Sequence, residues 1–398
     1  MLTTSEALDR VLAAMPELSV ESVALRAADG RVLRQVVEAE RDQPPFNRVM
    51  MDGIAISHSD FAAGIRQFPV QCTQMAGETA ATLTQGKCIE IMTGASLPVH
   101  ADCVIPVERI VVSEDIAVLE DGYVAAAQQF IHPRASDHAA GSQLLAPGKC
   151  VSAMDIAVIA SAGLTHVDVS RSPVVRVIST GNELVAAGQP IEPHQVRLSN
   201  GPAIQALLAQ HGYPDCEHDH LPDERAVLTE RIAGHLNEAD VLILSGGVSM
   251  GKADFVPEVL AELGVKEHFH RISQRPGKPM WFGSGPDGQA VFALPGNPVS
   301  ALVCCRHYVI PALAKASART TPTPEFAALA ADVTFRPELT CFQPVRLISN
   351  AVGQVLAMPV KTNTSGDFAA LSGSDGYVEL ALEQPRFSAG TSVFLYRW

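Results

Sequence analysis

Three short apolar runs in the second half of the chain share the same surroundings. They lie at 174–178, 241–244 and 290–294, and each is soon followed by a glycine-containing loop. Helical patterns come after these loops, at about 202–211, 255–263 and 299–315. Strand–loop–helix repetition of this kind predicts a buried parallel sheet with helices on both faces.

The flanking regions alternate between shorter elements. Thr3 and Glu6 fit a capping box that opens a helix ending before Pro16. Residues 46–130, and the segment from about 320 onward, consist of short apolar stretches broken by glycine, proline and polar turns. These patterns predict β-rich domains on either side of the α/β region.

Length and composition describe a globular protein of several domains. At 398 residues, two to four domains are expected, and 47% hydrophobic and 18% charged residues are ordinary values. A net charge of -14, no basic stripe and 5% aromatic residues argue against a nucleic-acid partner. A small anion can still bind at a locally positive site.

Neither the N-terminus nor the cysteines indicate export. The first residues predict a helix start, not a signal peptide, and no stretch approaches the roughly 18 uninterrupted apolar residues of a membrane span. The eight cysteines are scattered and form no CxxC pair. Reduced structural thiols, a cytoplasmic location and no membrane partner are therefore expected.

The strongest local signal for chemistry is the sequence LSGGVSMGKADF, from Leu244 to Phe255. Glycines let successive N–H groups turn toward an anion, serines add hydroxyl donors, and the following helix adds a partial positive charge. Taken alone, the loop is explained more simply as a tight turn without a ligand.

Two further loops favour a binding site. LPGNPVS at 294–300 again joins a strand to a helix, with Asn297 suited to the N-cap and Pro298 to the first helical position. STGNE at 179–183 has the same character. Loops that follow parallel strands open at one carboxyl edge of the sheet, where ligands bind. The three loops together predict an anion site at that edge.

Charged residues near these loops extend the prediction. Prolines fix RPGKP at 275–279, so Arg275 and Lys278 are held as two cations suited to a tetrahedral oxyanion. EHDH at 217–220 lacks a third well-spaced ligand, which favours a solvated polar loop over a metal site. One nearby acid, Asp254, is explained without a metal as an ordinary N-cap of the following helix. With a phosphate, the nearby acids are suited to Mg²⁺: Glu183, Asp223 and Asp254.

Six short motifs occur along the chain in a fixed order. MDG at 51–53 and MTGA at 92–95, each a turn when taken singly, are followed by STG at 179–181 and SGGVS at 245–249. PGKP at 276–279 and LPGNPVS at 294–300 close the series. This ordered set resembles the molybdopterin molybdenumtransferase family, called MoeA in bacteria and the E domain of gephyrin in animals. The resemblance covers essentially the whole chain.

The resemblance implies a multidomain α/β plus β fold. At its centre lies a MogA-like doubly wound α/β domain that binds molybdopterin, with a β-rich second domain and a small C-terminal β-barrel domain. The implied ranges are 1–40 with 133–170 for a discontinuous linker and dimerisation domain, 41–132 for the β-rich domain, 171–318 for the α/β domain and 319–398 for the barrel.

The resemblance also implies an activity and its partners. Members insert molybdenum from molybdate into adenylylated molybdopterin and release molybdenum cofactor and AMP, with Mg²⁺ present. They form homodimers, with the cleft between the α/β domain of one subunit and the β-rich domain of the other. A MogA-type molybdopterin adenylyltransferase and molybdoenzyme chaperones are the implied protein partners.

Site residues follow from the same motifs. Those implied to act in catalysis are Asp52, Thr93, Glu183, Asp223 and Asp254, and the last three also bind the metal. Those implied to bind substrate are Ser179, Thr180, Gly181, Ser245, Gly246, Gly247, Ser249, Arg275, Lys278, Pro295, Gly296, Asn297, Pro298 and Ser300.

Several positions depart from the usual family residues, and most of these changes lose negative charge. They are Asn47, Arg48, Val49, Ile54, His138, Asn182 and Lys252. The losses motivate a second hypothesis, a non-catalytic paralogue that binds or carries molybdopterin or its cofactor. A third hypothesis is a scaffold that holds other proteins, which no long interaction linker or appended domain supports.

Overall fold

A computed structural model of the chain describes residues 1–247, 255–335 and 339–398. These residues form two compact units. The first comprises Met1–Arg34, Pro147–Ser152 and Val167–Trp398, and the second comprises Gln35–Ala146 and Ala153–His166.

A six-stranded sheet forms the centre of the first unit. Across the sheet, its strands are Cys216–Leu221, Val175–Thr180, Val241–Ser245, Ala290–Leu294, Trp281–Ser284 and Lys266–His270. The first four run parallel to one another. From Val175–Thr180 the chain moves to one side of the sheet, and it then crosses to Val241–Ser245 on the other. In such sheets ligands bind outside the carboxyl ends of the strands at this switch point.

Alternate side chains of the central strand Val241–Ser245 enter two separate cores. Ile243 lies in the core of one face and Leu244 in the core of the other, and all five residues of the strand are buried. Burying one such aliphatic side chain stabilises the fold by about 1.5–3 kcal/mol. One face is covered by the helices Thr4–Ala14, Asn200–Gln210, Pro298–Cys304 and Ile310–Ala316, and the other by Arg225–Glu238 and Val256–Glu262. The predicted parallel sheet with helices on both faces is confirmed.

The edge strand Cys216–Leu221 contradicts the sequence prediction, because its EHDH sequence indicated a solvated loop. All six of its residues lie in register with Val175–Thr180. Cys216 and Leu221 are buried at its ends, whereas Glu217 and His220 are exposed. An edge strand can therefore carry a polar sequence and still complete the hydrogen bonds of its buried neighbour.

The long apolar segment after the last parallel strand is not one regular helix. Pro298–Cys304 and Ile310–Ala316 are α-helical, and a wide π-helical turn, Cys305–Val309, joins them. Pro311 has no N–H to donate, so a regular helix would lose a hydrogen bond there. By length and composition Pro298–Ala316 would suffice to cross a membrane, but 72% of its most apolar window is buried inside the protein.

The C-terminal part of the first unit is a closed barrel. Five strands pair in a ring, in the order Thr340–Ser349, Val355–Pro359, Glu325–Leu329, Ser392–Arg397 and Gly376–Leu380, and the last pairs with the first. The short strand Gln274–Arg275 adds to Thr340–Ser349. The predicted small barrel is confirmed. Smaller elements of this unit are Val20–Ala24 with His166–Ser170, Leu25–Ala27, Leu184–Val185 with Val196–Arg197, Val333–Thr334 with Arg386–Phe387, and Phe368–Leu371.

The second unit is β-rich, as predicted. Its six-stranded sheet has the order Cys103–Pro106, Gly53–Ile56, Cys88–Ile91, Gln67–Gln74, Ile116–Leu119 and Ile110–Ser113. Two short pairs accompany it, Val37–Glu38 with Gln143–Leu145 and Arg48–Val49 with Ile131–His132, together with the helical segments His58–Ala62, Val107–Arg109 and Ala153–Ser161.

The predicted capping box and the predicted free cysteines are both found in the structure. The helix Thr4–Ala14 opens with the predicted capping box, in which Thr3 N–H donates to Glu6 Oε2 at 2.8 Å and Glu6 N–H donates to Thr3 Oγ1 at 3.2 Å. All eight cysteines are free thiols. Cys304 and Cys305 are fully buried in the helical segment where the apolar pattern placed them.

Two helical glycines of the α/β domain make a matched pair for a stability test. A Cβ added at Gly201 would overlap the imidazole of His218, whereas one added at Gly234 would meet no atom within 4 Å. We expect Gly201→Ala to destabilise the domain by about 1–3 kcal/mol through overpacking. Gly234→Ala should stabilise it by roughly 0.5–1 kcal/mol, because alanine loses less backbone entropy in a helix. Urea unfolding followed by the fluorescence of buried Trp281 measures both, and equal shifts would contradict the steric assignment.

Candidate anion-binding site

A cleft of about 910 Å³ opens at the carboxyl edge of the parallel sheet, at the switch point. The three glycine-containing loops all contribute to it. The predicted site residues that line it are Ser179, Thr180, Glu183, Asp223, Ser245, Gly246, Gly247, Pro295, Gly296, Asn297 and Pro298. Gly181 lies within the first loop but does not line the cleft. Ser249 and Asp254, and with them Lys252, lie outside the described residues.

The loop that follows Val175–Thr180 and the loop that follows Val241–Ser245 fit against each other because of two glycines. Gly246 and Gly247 have φ angles of +105° and +66°, in the left-handed region that favours glycine. A Cβ at either would approach Thr180 Oγ1, to 2.9 Å and 3.0 Å respectively. Only glycine therefore allows the loop after Val241–Ser245 to lie on the end of its neighbour.

Asn200, which the sequence pattern does not mark, connects the loop at 294–300 to the loop that follows Val241–Ser245. Its side-chain Nδ2 donates to Ser245 Oγ at 2.9 Å and to the carbonyl of Gly296 at 2.8 Å. Asn200 opens the helix Asn200–Gln210 and lines the cleft. In the sequence, asparagine at a helix start has an ordinary explanation as a capping residue, so no distinct signal marked it.

The two histidines of the edge strand support the first loop from the side. His218 Nε2 lies 3.0 Å from Ser179 Oγ, and His220 Nε2 lies 3.0 Å from the carbonyl oxygen of Gly181. They are therefore structural neighbours of the cleft, not members of a solvated loop. Only the strand register brings them there.

Two of the predicted carboxylates lie in the cleft. Asp223 and the exposed Glu183 both line it, and Asp223 is held by the loop: its backbone N–H donates to Asn182 Oδ1 at 3.1 Å. Across the part of the chain that the structure describes, no three His, Cys, Asp or Glu side chains are grouped closely enough to hold a metal ion. The pair suits a cation that takes its remaining ligands from water and substrate, as Mg²⁺ does.

The two predicted cations lie elsewhere, which corrects the expectation of a single pocket. Arg275 and Lys278 line a second cavity of about 630 Å³ between the α/β domain and the barrel, together with Ser300. Pro279 and Asn297 line both cavities. The physical reason is the pairing of Gln274–Arg275 with the barrel strand, which carries this segment toward the barrel.

Asp52 and Thr93 meet within the second unit although 41 positions separate them. Asp52 Oδ1 accepts hydrogen bonds from Thr93 Oγ1 and from Thr93 N–H, both at 2.6 Å. These bonds, that of the hydroxyl first, hold the pKa of the Asp52 carboxyl below its usual range. The MDG and MTGA motifs are thus in direct contact with each other.

Residues that depart from the family pattern also take part in contacts of this unit. Asn47 Oδ1 accepts from Arg134 N–H at 2.9 Å. The guanidinium of Arg48 lies 3.0 Å from His132 Nδ1, and Nε2 of the same ring lies 3.0 Å from Asp137. Polar contacts thus connect these residues to neighbouring segments of the second unit.

Fold and cavities together define a multidomain α/β and β protein with a loop-lined cleft at the carboxyl edge of its parallel sheet. Family models match nearly the whole chain: the MoeA N-terminal region (domain I and II) over residues 2–163, a probable molybdopterin binding domain over 176–315, and the MoeA C-terminal region (domain IV) over 327–398. The chain belongs to the MoeA family.

Curated relatives and a solved structure agree along the full length. A molybdopterin molybdenumtransferase of Synechocystis is 37% identical over 400 residues, covering 100% of both chains. Another, of Synechococcus elongatus, is 32% identical and covers 99% of this chain and 98% of its own. The molybdopterin biosynthesis MoeA protein of Pyrococcus horikoshii OT3 superposes with a TM-score of 0.83 at 27% identity, over 100% of both chains.

The contact between Thr93 and Asp52 makes a prediction about acidity. In Thr93→Val one of the two donors is lost, so the pKa of Asp52 should rise toward its usual value. Because the pKa of Asp52 is lower in the folded state, its hydrogen bonds stabilise the folded protein fully at pH values above the pKa of the unfolded state. This stabilisation is lost as the pH falls through the pKa of the folded state. Carboxyl-carbon NMR titration measures the change.

Asp42 serves as the internal control for this titration. Its pKa is lowered by the N–H of Ala140 and by Arg134, neither of which the substitution touches. An unchanged pKa of Asp52, or equal shifts in both carboxyls, would remove Thr93 as the cause.

Proposed function

We propose that this protein inserts molybdenum from molybdate into adenylylated molybdopterin and releases molybdenum cofactor and AMP. The observation that carries the proposal is the convergence of three glycine-containing loops at the switch point of the parallel sheet. Likeness over the full length to relatives named molybdopterin molybdenumtransferase supports catalysis over the carrier hypothesis.

The loop cleft would hold the phosphorylated pterin and its nucleotide. Its volume lies in the range of small-molecule sites. Thr180 Oγ1 and Asn200 Oδ1 are buried and have no hydrogen-bond partner among the described residues. Leaving such a group unsatisfied costs about 1–3 kcal/mol, and both atoms belong to residues that line the cleft.

The neighbouring cavity would hold molybdate. Arg275 and Lys278 provide exposed cationic groups there, and a tetrahedral oxyanion matches their charge. Pro279 and Asn297 form a shared wall, so two anions that repel each other in water would be held side by side. Positioning of this kind is the main contribution that the residues make.

Glu183 and Asp223 would hold Mg²⁺ beside the phosphates, with Asp254 as the further predicted ligand. Two carboxylates and no closed protein cage among the described side chains fit a metal that keeps water and substrate oxygens as ligands. When bound, Mg²⁺ supplies positive charge that stabilises the phosphate oxygens of the departing AMP.

A direct test uses Glu183→Gln, which removes one carboxylate charge and keeps the side-chain size. With adenylylated molybdopterin, molybdate and Mg²⁺, we expect AMP release to fall about 10²-fold or more, because transition-state charge is less well neutralised. Binding of the pterin should persist, and the Mg²⁺ concentration for half-maximal release should rise. Chromatographic measurement of AMP gives the rate.

Glu192→Gln is the matched control, since Glu192 is exposed nearby and does not line the cleft. Its rate should equal that of the unmodified protein. Pterin binding by the unmodified protein without any AMP release would refute the transferase proposal and favour the carrier.

We also propose a homodimer in which Asp52 and Thr93 of one subunit complete the cleft of the other. A cytoplasmic location, and a MogA-type adenylyltransferase and molybdoenzyme chaperones as partners, belong to the same proposal. The contact between Asp52 and Thr93 supports it, because it holds polar side chains of two family motifs together within the second unit.

Subunit mixing tests the shared cleft. Asp52→Asn and Glu183→Gln proteins should each be inactive, but unfolding and refolding them together should restore about a quarter of the activity. Random pairing makes half the dimers mixed, and each mixed dimer has one intact cleft. No recovery, while size analysis confirms mixed dimers, would place Asp52 and Glu183 in clefts of the same subunit or outside the mechanism.

A further inference from the structure

Two buried serines form the floor of the loop cleft. Ser179 and Ser245 occupy directly paired positions at the ends of adjacent parallel strands. They are 1% and 2% exposed, and both line the cleft. In the described part of the chain, one side chain approaches each hydroxyl: His218 approaches Ser179, and Asn200 approaches Ser245.

The hydroxyl of Ser245 has a fixed polarity. The same side-chain atom of Asn200 also contacts the carbonyl of Gly296, which can only accept, so this atom is the amide nitrogen. Ser245 Oγ therefore accepts from Asn200, and its own hydrogen is left to point elsewhere. Because Ser245 lines the cleft, that hydrogen can be donated to an anion bound there.

The hydroxyl of Ser179 has no such fixed polarity. Its partner, Nε2 of His218, accepts a hydrogen bond in the neutral tautomer that carries its proton on Nδ1, and it donates one when the ring is protonated. In the first state the Ser179 hydrogen points at the ring, and the oxygen presents lone pairs, which repel an anion. In the second state Ser179 accepts from the ring, and its hydrogen is released, as in Ser245.

We propose that His218 is a positioning residue whose protonation turns the Ser179 hydroxyl into a donor and so strengthens pyrophosphate binding in the cleft. The inference rests on the proposed function, which places the pyrophosphate of the pterin nucleotide there. The positive charge of the protonated ring acts in the same direction as the hydrogen bond.

The surroundings of His218 keep the ring in place and make protonation the minor state at neutral pH. Gly201 of the covering helix leaves the space that the ring fills, and Val177 is its register partner on the neighbouring strand. Burial lowers the pKa of His218, neighbouring Asp219 opposes this, and His220 adds to it. Gly201 and Gln205 are the uncharged groups of the covering helix near this strand. Arg231 and His235 of the helix Arg225–Glu238 contact Asp219, and Arg176 of the neighbouring strand contacts Glu217.

His220 cannot play the same part. Its Nε2 faces the carbonyl of Gly181, which only accepts, so that nitrogen donates in both protonation states. The carbonyl therefore fixes the polarity of this contact. The switch is specific to the pairing of a histidine with a hydroxyl.

The test measures binding of ADP-ribose, a pyrophosphate diester whose own charge stays constant over the range used. Calorimetric Kd values are compared between about pH 8 and about pH 5, a range extended on the acidic side because the pKa of His218 is lowered. We expect Kd to fall by roughly threefold to tenfold at the acidic end, the effect of one hydrogen bond. In His218→Gln, where the ring beside Ser179 is absent, most of this change in Kd should be lost.

His268→Gln is the matched control. Nε2 of His268 lies 2.8 Å from Ser284 Oγ, and burial lowers the pKa of His268 as well, but this pair lies outside the cleft. His268→Gln should keep the pH dependence of the unmodified protein. Loss of the dependence in His268→Gln, or its survival in His218→Gln, overturns the assignment.

A second measurement needs no variant. Binding and protonation are linked, so ADP-ribose must raise the pKa of His218 by the amount that matches the change in Kd. Ring NMR titration of the unmodified protein with and without ADP-ribose decides this even if His218→Gln fails to fold. Binding with no rise in that pKa refutes the switch alone, whereas no binding at any pH refutes the proposed cleft and the switch with it.

Discussion

Burial of the strand Val241–Ser245 on both faces is the constraint on which the rest of the first unit depends. Its alternate side chains fill two different cores, so a slip of one residue would exchange the two sets and leave both cores wrongly filled. The register with both neighbours is therefore strongly specified. That register aligns Ser245 with Ser179 on one side and with Leu294 on the other, and so brings three loops together.

Two adjacent cavities form because the segment that carries Arg275 and Lys278 pairs with the barrel and not with the parallel sheet. Gln274 is fully buried; its amide contacts Cys304 Sγ at 3.3 Å and the carbonyl of Pro276 at 3.2 Å, and Tyr308 donates to its oxygen. These contacts anchor the segment that carries the two cations next to the barrel. A protein with a net charge of -14 can thus present a local cationic wall.

The departure at Asn182 illustrates how a family residue can change while local geometry is kept. Asn182 Oδ1 accepts from the backbone N–H of Asp223, and the backbone N–H of Asn182 donates to Asp223 Oδ2 at 3.3 Å. An aspartate oxygen would accept the same bond, so the replacement removes a charge but preserves the loop. This position therefore offers little support for the carrier hypothesis. What changes is the electrostatic potential beside Glu183 and Asp223.

The sequence by itself determined the elements whose signals are local. Continuous apolar runs marked the buried strands, Asn297 and Pro298 marked a helix start, and glycines marked the loops. Tertiary structure alone decided which polar groups meet: the place of Asn200 and His218 beside the serines, and the separation of Lys278 from the loop cleft. Burial and turn preference are properties of neighbouring residues, whereas a hydrogen bond between distant residues exists only once strand register and domain pairing have been set.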